Sequence, residues 1–329
     1  MASDPTIMMI HLTAVIVAVT DNTPRVLIVN KSAGQSDSIG PGLPSGPFDT
    51  VHDDSLESGL RRLVEAQTGL DLYYVEQLYT FGNRFRELSE IEGGPRIVSV
   101  AYIALTREDT VREPNAEWRD WYSFLPWEDW RNGRPEVLDT SVEPELSQWI
   151  KQSQGQSRRK QRQDRVNVTF GSGPTSGMDP VLSLERFELL YDAGLVSEAK
   201  RDKGSTNTIA HGMGDSLISD HRRILATALG RLRGKLAYRP VVFELLPGEF
   251  TLLQLQRVAE ALSGAKLHKQ NFRRLVNNAD LVEPIGRTMA VGRGRPAELF
   301  RFRREVLGEK LTVGLSRPIM RGHDSQGPC

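Results

Sequence analysis

Residues 240–302 carry an order of elements that few small folds accept. The run 240–246 is apolar and reads as a strand. Residues 251–262 read as a helix, with Thr251 placed to cap it and Gly264 to end it. After a short turn, 267–278 reads as a second helix. Residues 286–302 read as a hairpin around Gly292-Arg293-Gly294, with Met289 and Val291 before it and Leu299 and Phe300 after it. Strand, helix, turn, helix and hairpin is the order of a winged helix-turn-helix.

The side chains of this segment have a matching chemistry. The helix 267–278 carries Lys269, Asn271, Arg273 and Arg274, anchored by Phe272 and Leu275. Arg bonds guanine O6 and N7, Asn bonds adenine N6 and N7, and Lys neutralises phosphate. The hairpin tip, Arg293-Gly294-Arg295-Pro296, resembles the core of an AT-hook, in which two Arg flank a Gly along a narrow minor groove. Thr251 and Arg287 complete the candidate DNA contacts. Net charge over the chain is zero, with 42 basic against 42 acidic residues. Residues 239–305 hold twelve Lys and Arg against seven Asp and Glu, so the basic excess falls where the DNA chemistry is.

The first 150 residues alternate strand and helix signals. Residues 11–19 and 26–29 read as strands around the turn Asp21-Asn22-Thr23-Pro24. Residues 40–48 hold three Gly and three Pro and read as a loop. Leu56, Leu60, Leu63 and Val64 recur at helical spacing within 55–67, and Gly69 can stop that helix. Residues 75–80 and 97–104 read as strands, and 147–150 as the end of a helix. The fold class expected is α/β (α+β), divided into 1–150, a connecting part 151–235, the winged helix 236–305 and a tail 306–329. Within the connecting part, 151–174 reads as a flexible tether holding Arg158-Arg159-Lys160, in preference to a specific nucleic-acid contact. Residues 180–200 and 220–235 read as helices that join the domains or pair two copies. The apolar run 7–19 is too short to span a bilayer, so no membrane partner is expected. The one cysteine, Cys329, permits no internal disulfide, which fits a cytoplasmic protein.

Gly46, Asp54 and the run Arg61-Arg62-Leu63-Val64-Glu65-Ala66-Gln67-Thr68-Gly69-Leu70 resemble the Nudix box. That resemblance implies an αβα sandwich around a mixed sheet. In the family, three Glu of the box bind Mg²⁺ from one helix face. Here those positions are Leu63, Ala66 and Gln67, which offer no carboxylate. Glu65 lies about 100° further round the helix and faces elsewhere. No metal or other cofactor is expected. Asp54 is expected to pair with Arg62 and keep the shape of the box. The candidate contacts for a nucleoside diphosphate ligand are Phe81, Arg84, Arg86 and Arg96, with ordinary core or surface duty the alternative for each. Glu87, Glu90 and Glu92 read as a solvated acidic loop.

A more specific likeness rests on Leu246-Pro247, Phe250-Thr251-Leu252, Leu255-Gln256, Asn271-Phe272-Arg273-Arg274, Arg295-Pro296-Ala297 and Phe300-Arg301-Phe302. Tyr79-Thr80-Phe81-Gly82 and Val98-Ser99-Val100-Ala101-Tyr102 extend it towards the N-terminus. These residues resemble the NrtR family of Nudix-related transcriptional regulators. The resemblance implies a homodimeric repressor on palindromic operators near genes of NAD synthesis or recycling, with ADP-ribose as effector in some members. The rival readings are a Nudix hydrolase acting on ADP-ribose or NADH, and a nucleotide sensor whose output is a protein contact.

Overall fold

The computed structural model describes residues 8–31, 39–83, 90, 93–108, 111–171, 178–203, 212–236, 241–290 and 296–303. Two compact units divide the chain. One combines 1–125 with 194–228, the other 126–193 with 229–329. Neither is continuous in sequence, and the division does not fall at residue 150.

The first unit is built on a mixed sheet. β1 (Met8–Thr20) turns through Asp21 and Asn22 into β2 (Thr23–Lys31). Both turn residues have positive φ, 50° and 62°, the twist a two-residue hairpin favours and one that Asp and Asn tolerate. The Gly- and Pro-rich segment is not a plain loop. It forms two three-residue strands, β3 (Gly40–Gly42) on β2 and β4 (Ser45–Pro47) on β1. Both lie at the margin of the sheet, where proline's missing N–H is tolerated.

Helix α1 (Leu56–Thr68) follows, then β5 (Tyr74–Phe81), β6 (Arg96–Leu105) and β7 (Ala116–Asp120). The main strand order is β3-β2-β1-β6-β5, with β7 on β2. Only the β1–β6 pair is parallel. Residues 12–18 of β1 are each at most 1% exposed, so this strand is covered on both faces. Leu60 and Val64 of α1 pack on one face with Leu12, Ala14, Ile16, Val100 and Tyr102.

The ends of α1 follow from local chemistry. Ser55 accepts from the backbone N–H of Ser58, and the Ser58 hydroxyl answers the Ser55 N–H. Gly69 ends the helix in the left-handed region, φ 70°.

In the second unit, α2 (Glu143–Lys151) is followed by α3 (Gln156–Phe170) and α4 (Ser183–Asp192). The tether read at 151–174 is therefore mostly helix. Nothing in its pattern shows an apolar stripe. What holds it is tertiary: Arg162 lies 3.9 Å over the Trp149 ring, and Arg165 pairs with Asp192 at 2.5 Å. The single helix read at 180–200 is two, α4 and α5 (Ser197–Asp202), broken at Gly194 with φ 74°. Helix α6 (His221–Leu236) has its first part in one unit and its last in the other.

The C-terminal segment forms α7 (Leu252–Ser263), α8 (Lys269–Ala279) and the hairpin β8 (Val282–Met289) and β9 (Ala297–Phe302). The strand read at 240–246 is instead a 3₁₀ turn, Val241–Leu245. A short, continuous apolar run does not distinguish the two by pattern. The turn sets Phe243 in a stack on Phe302, centroids 4.2 Å apart. The third strand position of the sheet passes to Phe250, whose backbone exchanges two bonds with Phe300.

Candidate functional site

Thr251 caps α7 in a reciprocal box with Gln254. Its side chain is buried by that task, so it is placed as a structural residue. Gly264 ends α7 at φ 71°. The turn into α8 is then fixed by a buried carboxylate. Glu260 Oε1 accepts from the Leu267 N–H at 2.9 Å and from Gln256 at 3.0 Å. These bonds hold two helices in the helix-turn-helix relation.

Helix α8 is strongly two-sided. Phe272 and Val276 are buried against the unit, while Leu275, read as an anchor, is half-buried. Lys269, Asn271, Arg273 and Arg274 are exposed, as the sequence reading requires. None of these three cations has an ion-pair partner among the described residues. The geometry adds two residues that reading missed. Gln270, Arg273, Arg274 and Asn277 stand at i, i+3, i+4 and i+7, the spacing of one helix face, and all four are exposed. Two guanidiniums and two amides on one open face match the donor and acceptor edges of guanine and adenine in a major groove. The signal for Gln270 and Asn277 was this spacing, which a search for positive charge overlooks.

The hairpin is less free. Arg287 pairs with Glu249, Arg301 with Glu283, and Arg303 with Asp280. Arg287 is thus partly neutralised. Arg293 and Arg295 lie outside the described residues.

In the first unit, the partner of Arg62 is Asp53, not Asp54. Arg62 Nε and Nη2 donate to the two Asp53 oxygens at 2.7 and 2.8 Å. The Arg62 bond, ahead of the opposing effect of burial, holds the Asp53 carboxyl below its ordinary range. Asp54 is exposed. One residue of difference was invisible to spacing alone because the loop before α1 can absorb it.

Two of the three box positions serve structure. Leu63 packs on Gly46, where a Cβ would meet Leu63 Cδ1 at 2.8 Å, so a larger residue there would have to displace the end of the Leu63 side chain. Ala66 is exposed. Gln67 accepts from the Ser45 N–H at 3.1 Å and donates to the Ser45 carbonyl at 2.9 Å. Lys31, also buried, donates to the same carbonyl at 2.9 Å. This donor set does not fit a hard divalent cation. Among the described residues no three His, Cys, Asp or Glu side chains converge.

Phe81 is 6% exposed and packs edge-on against Tyr79, so it is placed in the core. Arg96 donates through Nη2 to the Gly82 carbonyl at 2.7 Å, closing the end of β5 on β6. Its Nε is covered and meets no acceptor among the described residues. Arg84, Arg86, Glu87 and Glu92 lie outside those residues.

Together these features define a class: a Nudix-like α/β unit whose box lacks its carboxylates, in one chain with a winged helix that presents an open basic face. Residues 242–302 match the family described as the NrtR DNA-binding winged helix domain. Over those residues the chain carries a domain of that family. A curated relative, the ADPR responsive transcriptional repressor NtrR of Acinetobacter baylyi, is 35% identical over 95 residues. That match spans 29% of this chain and 38% of the relative's length. The crystal structure of Shewanella oneidensis NrtR complexed with a 27mer DNA has the same fold. Its TM-score is 0.56 at 23% identity, over 94% of this chain and 99% of that one. A MutT/nudix family protein from Enterococcus faecalis matches with TM-score 0.54 at 14% identity, over 92% and 89%. No helix among the described residues is long and apolar enough to cross a membrane.

Proposed function

We propose that this chain is a transcriptional repressor that binds operator DNA as a homodimer and is released by an ADP-ribose-like ligand. The observation that carries the proposal is the open face of α8, with Gln270, Arg273, Arg274 and Asn277 at one-face spacing. The family of its winged helix and the name of the Acinetobacter relative support it. Genes of NAD synthesis or recycling are the proposed targets, and the cytoplasm the proposed compartment. A dimer places two recognition helices about one helical turn apart on a palindrome.

The ligand is proposed to sit in the first unit, with Arg96 facing a phosphate. Arg84 and Arg86 are proposed as further ligand contacts. Switching requires that the ligand distinguish the DNA-bound from the free dimer. A coupling of about 1–3 kcal/mol changes DNA affinity by roughly 5–150-fold, and DNA must weaken the ligand by the same factor. Calorimetric titration of ADP-ribose into free protein and into its DNA complex measures this. Equal affinity in both states would refute the switch.

The chain is proposed not to be a hydrolase. With Mg²⁺ or Mn²⁺, release of AMP from ADP-ribose or NADH should stay at the no-protein level. Gln67→Glu should not create activity. It removes the donor to the Ser45 carbonyl and sets a carboxylate against that oxygen, so it should lower the melting temperature. Turnover that persists through purification and vanishes in Arg62→Ala would revive the enzyme.

A further inference from the structure

Helix α3 carries five basic residues and one acidic one, Asp164. The basic residues divide into two sets. Arg162 and Arg165 are half-buried and hold the helix in its unit, through Trp149 and Asp192. Arg158, Arg159 and Lys160 are exposed, and none has an acidic partner among the described residues. Among the described residues the Arg159 side chain makes one long bond, from Nη2 to the Lys151 carbonyl at 3.4 Å. Lys151 is itself exposed and adds a fourth cation nearby in sequence.

Folding does not account for this row. The three residues stand in the early turns of α3, where cations oppose the helix dipole. Removing them would cost no buried contact. Being consecutive, they fan over roughly 200° of the helix rather than forming one stripe. A duplex lying along one side of the helix therefore meets two of the three at a time. The helix lies in the same compact unit as the winged helix.

We propose that Arg158, Arg159 and Lys160 form a second DNA contact, taking phosphates of the duplex outside the groove read by α8. The proposal rests on the DNA-binding reading above. It assigns these residues affinity without sequence preference, since phosphate contacts position a protein but carry no base information. Counterion release makes such contacts measurable: each phosphate neutralised on B-DNA steepens the dependence of log affinity on log salt by about 0.9.

The test is R158Q/R159Q/K160Q in the full chain, on a 30-base-pair duplex of arbitrary sequence, by fluorescence anisotropy between 50 and 200 mM salt. Gln matches Arg and Lys in helix propensity, so circular dichroism should be unchanged. The slope should become shallower by about 2 units, corresponding to two phosphates. A parallel variant, K269Q/R273Q, separates the two claims. If it flattens the slope while the α3 variant behaves as wild type, the DNA-binding reading stands and this proposal fails. The row would then belong to an acidic protein or lipid surface. If wild-type protein shows no binding at 50 mM salt, both fail.

Discussion

Replacing Glu128 by Gln should destabilise the second unit by about 3–5 kcal/mol, enough to abolish DNA binding at ordinary temperatures. Glu128 and Arg186 are fully buried. Arg186 donates Nε to Oε1 at 2.6 Å and Nη2 to Oε2 at 2.9 Å. Arg233, nearly buried, pairs with Oε2 and donates Nη2 to the Glu128 carbonyl at 2.9 Å. Its Nε reaches the Leu262 carbonyl near the end of α7, and the Trp130 N–H donates to the Gly264 carbonyl at 2.6 Å. The cluster therefore ties residues around Glu128 to the end of α7. Glutamine leaves two guanidiniums in a dry site with no counter-charge. The cost lies in that imbalance and not in the worth of the ion pairs. A triple replacement, E128L/R186M/R233L, should accordingly recover most of the loss. Urea midpoints followed by tryptophan fluorescence would measure both variants. If Glu128→Gln unfolds at the wild-type midpoint, the cluster is not holding the unit.

The same group predicts an acid dependence. Burial alone would raise the Glu128 carboxyl, but the Arg186 and Arg233 guanidiniums outweigh it and hold it below the ordinary glutamate value. A carboxyl depressed in the folded state binds a proton more weakly there than in the unfolded chain. Its contribution is fully present above the ordinary value and is lost as pH falls through the depressed one. The second unit should weaken in that acid range.

The second large effect should come from α8. R273A/R274A should lose at least roughly 30-fold in operator affinity, since each side chain that reads a base is worth about 1–3 kcal/mol and two together about 2 kcal/mol or more. Gln270→Ala and Asn277→Ala should cost less and relax specificity at adenine positions. Arg287→Ala should do less by comparison, because its pair with Glu249 already offsets part of that charge. Competition binding against single-base operator variants separates these cases. An Arg287 effect larger than that of the α8 pair would move the recognition surface to the hairpin.

Much of this protein was legible from short-range chemistry. The Thr251 cap, the Gly69 and Gly264 stops and the Asp21-Asn22 turn act within a few residues, so sequence carries them directly. The absence of carboxylates at Leu63, Ala66 and Gln67 is equally a property of the sequence. The structure supplied what those residues do instead, Leu63 against Gly46 and Gln67 on Ser45. Choosing Asp53 over Asp54 needed the path of a loop. The helix at Gln156–Phe170 needed partners outside itself, because a helix polar nearly all round shows no amphipathic stripe. Most remote of all is the Glu128 cluster, whose members lie 58 and 105 residues apart. Local sequence sets propensities and caps. Which buried charges meet is decided only when the chain returns on itself, since burial and distance, not neighbourhood in sequence, set their energies.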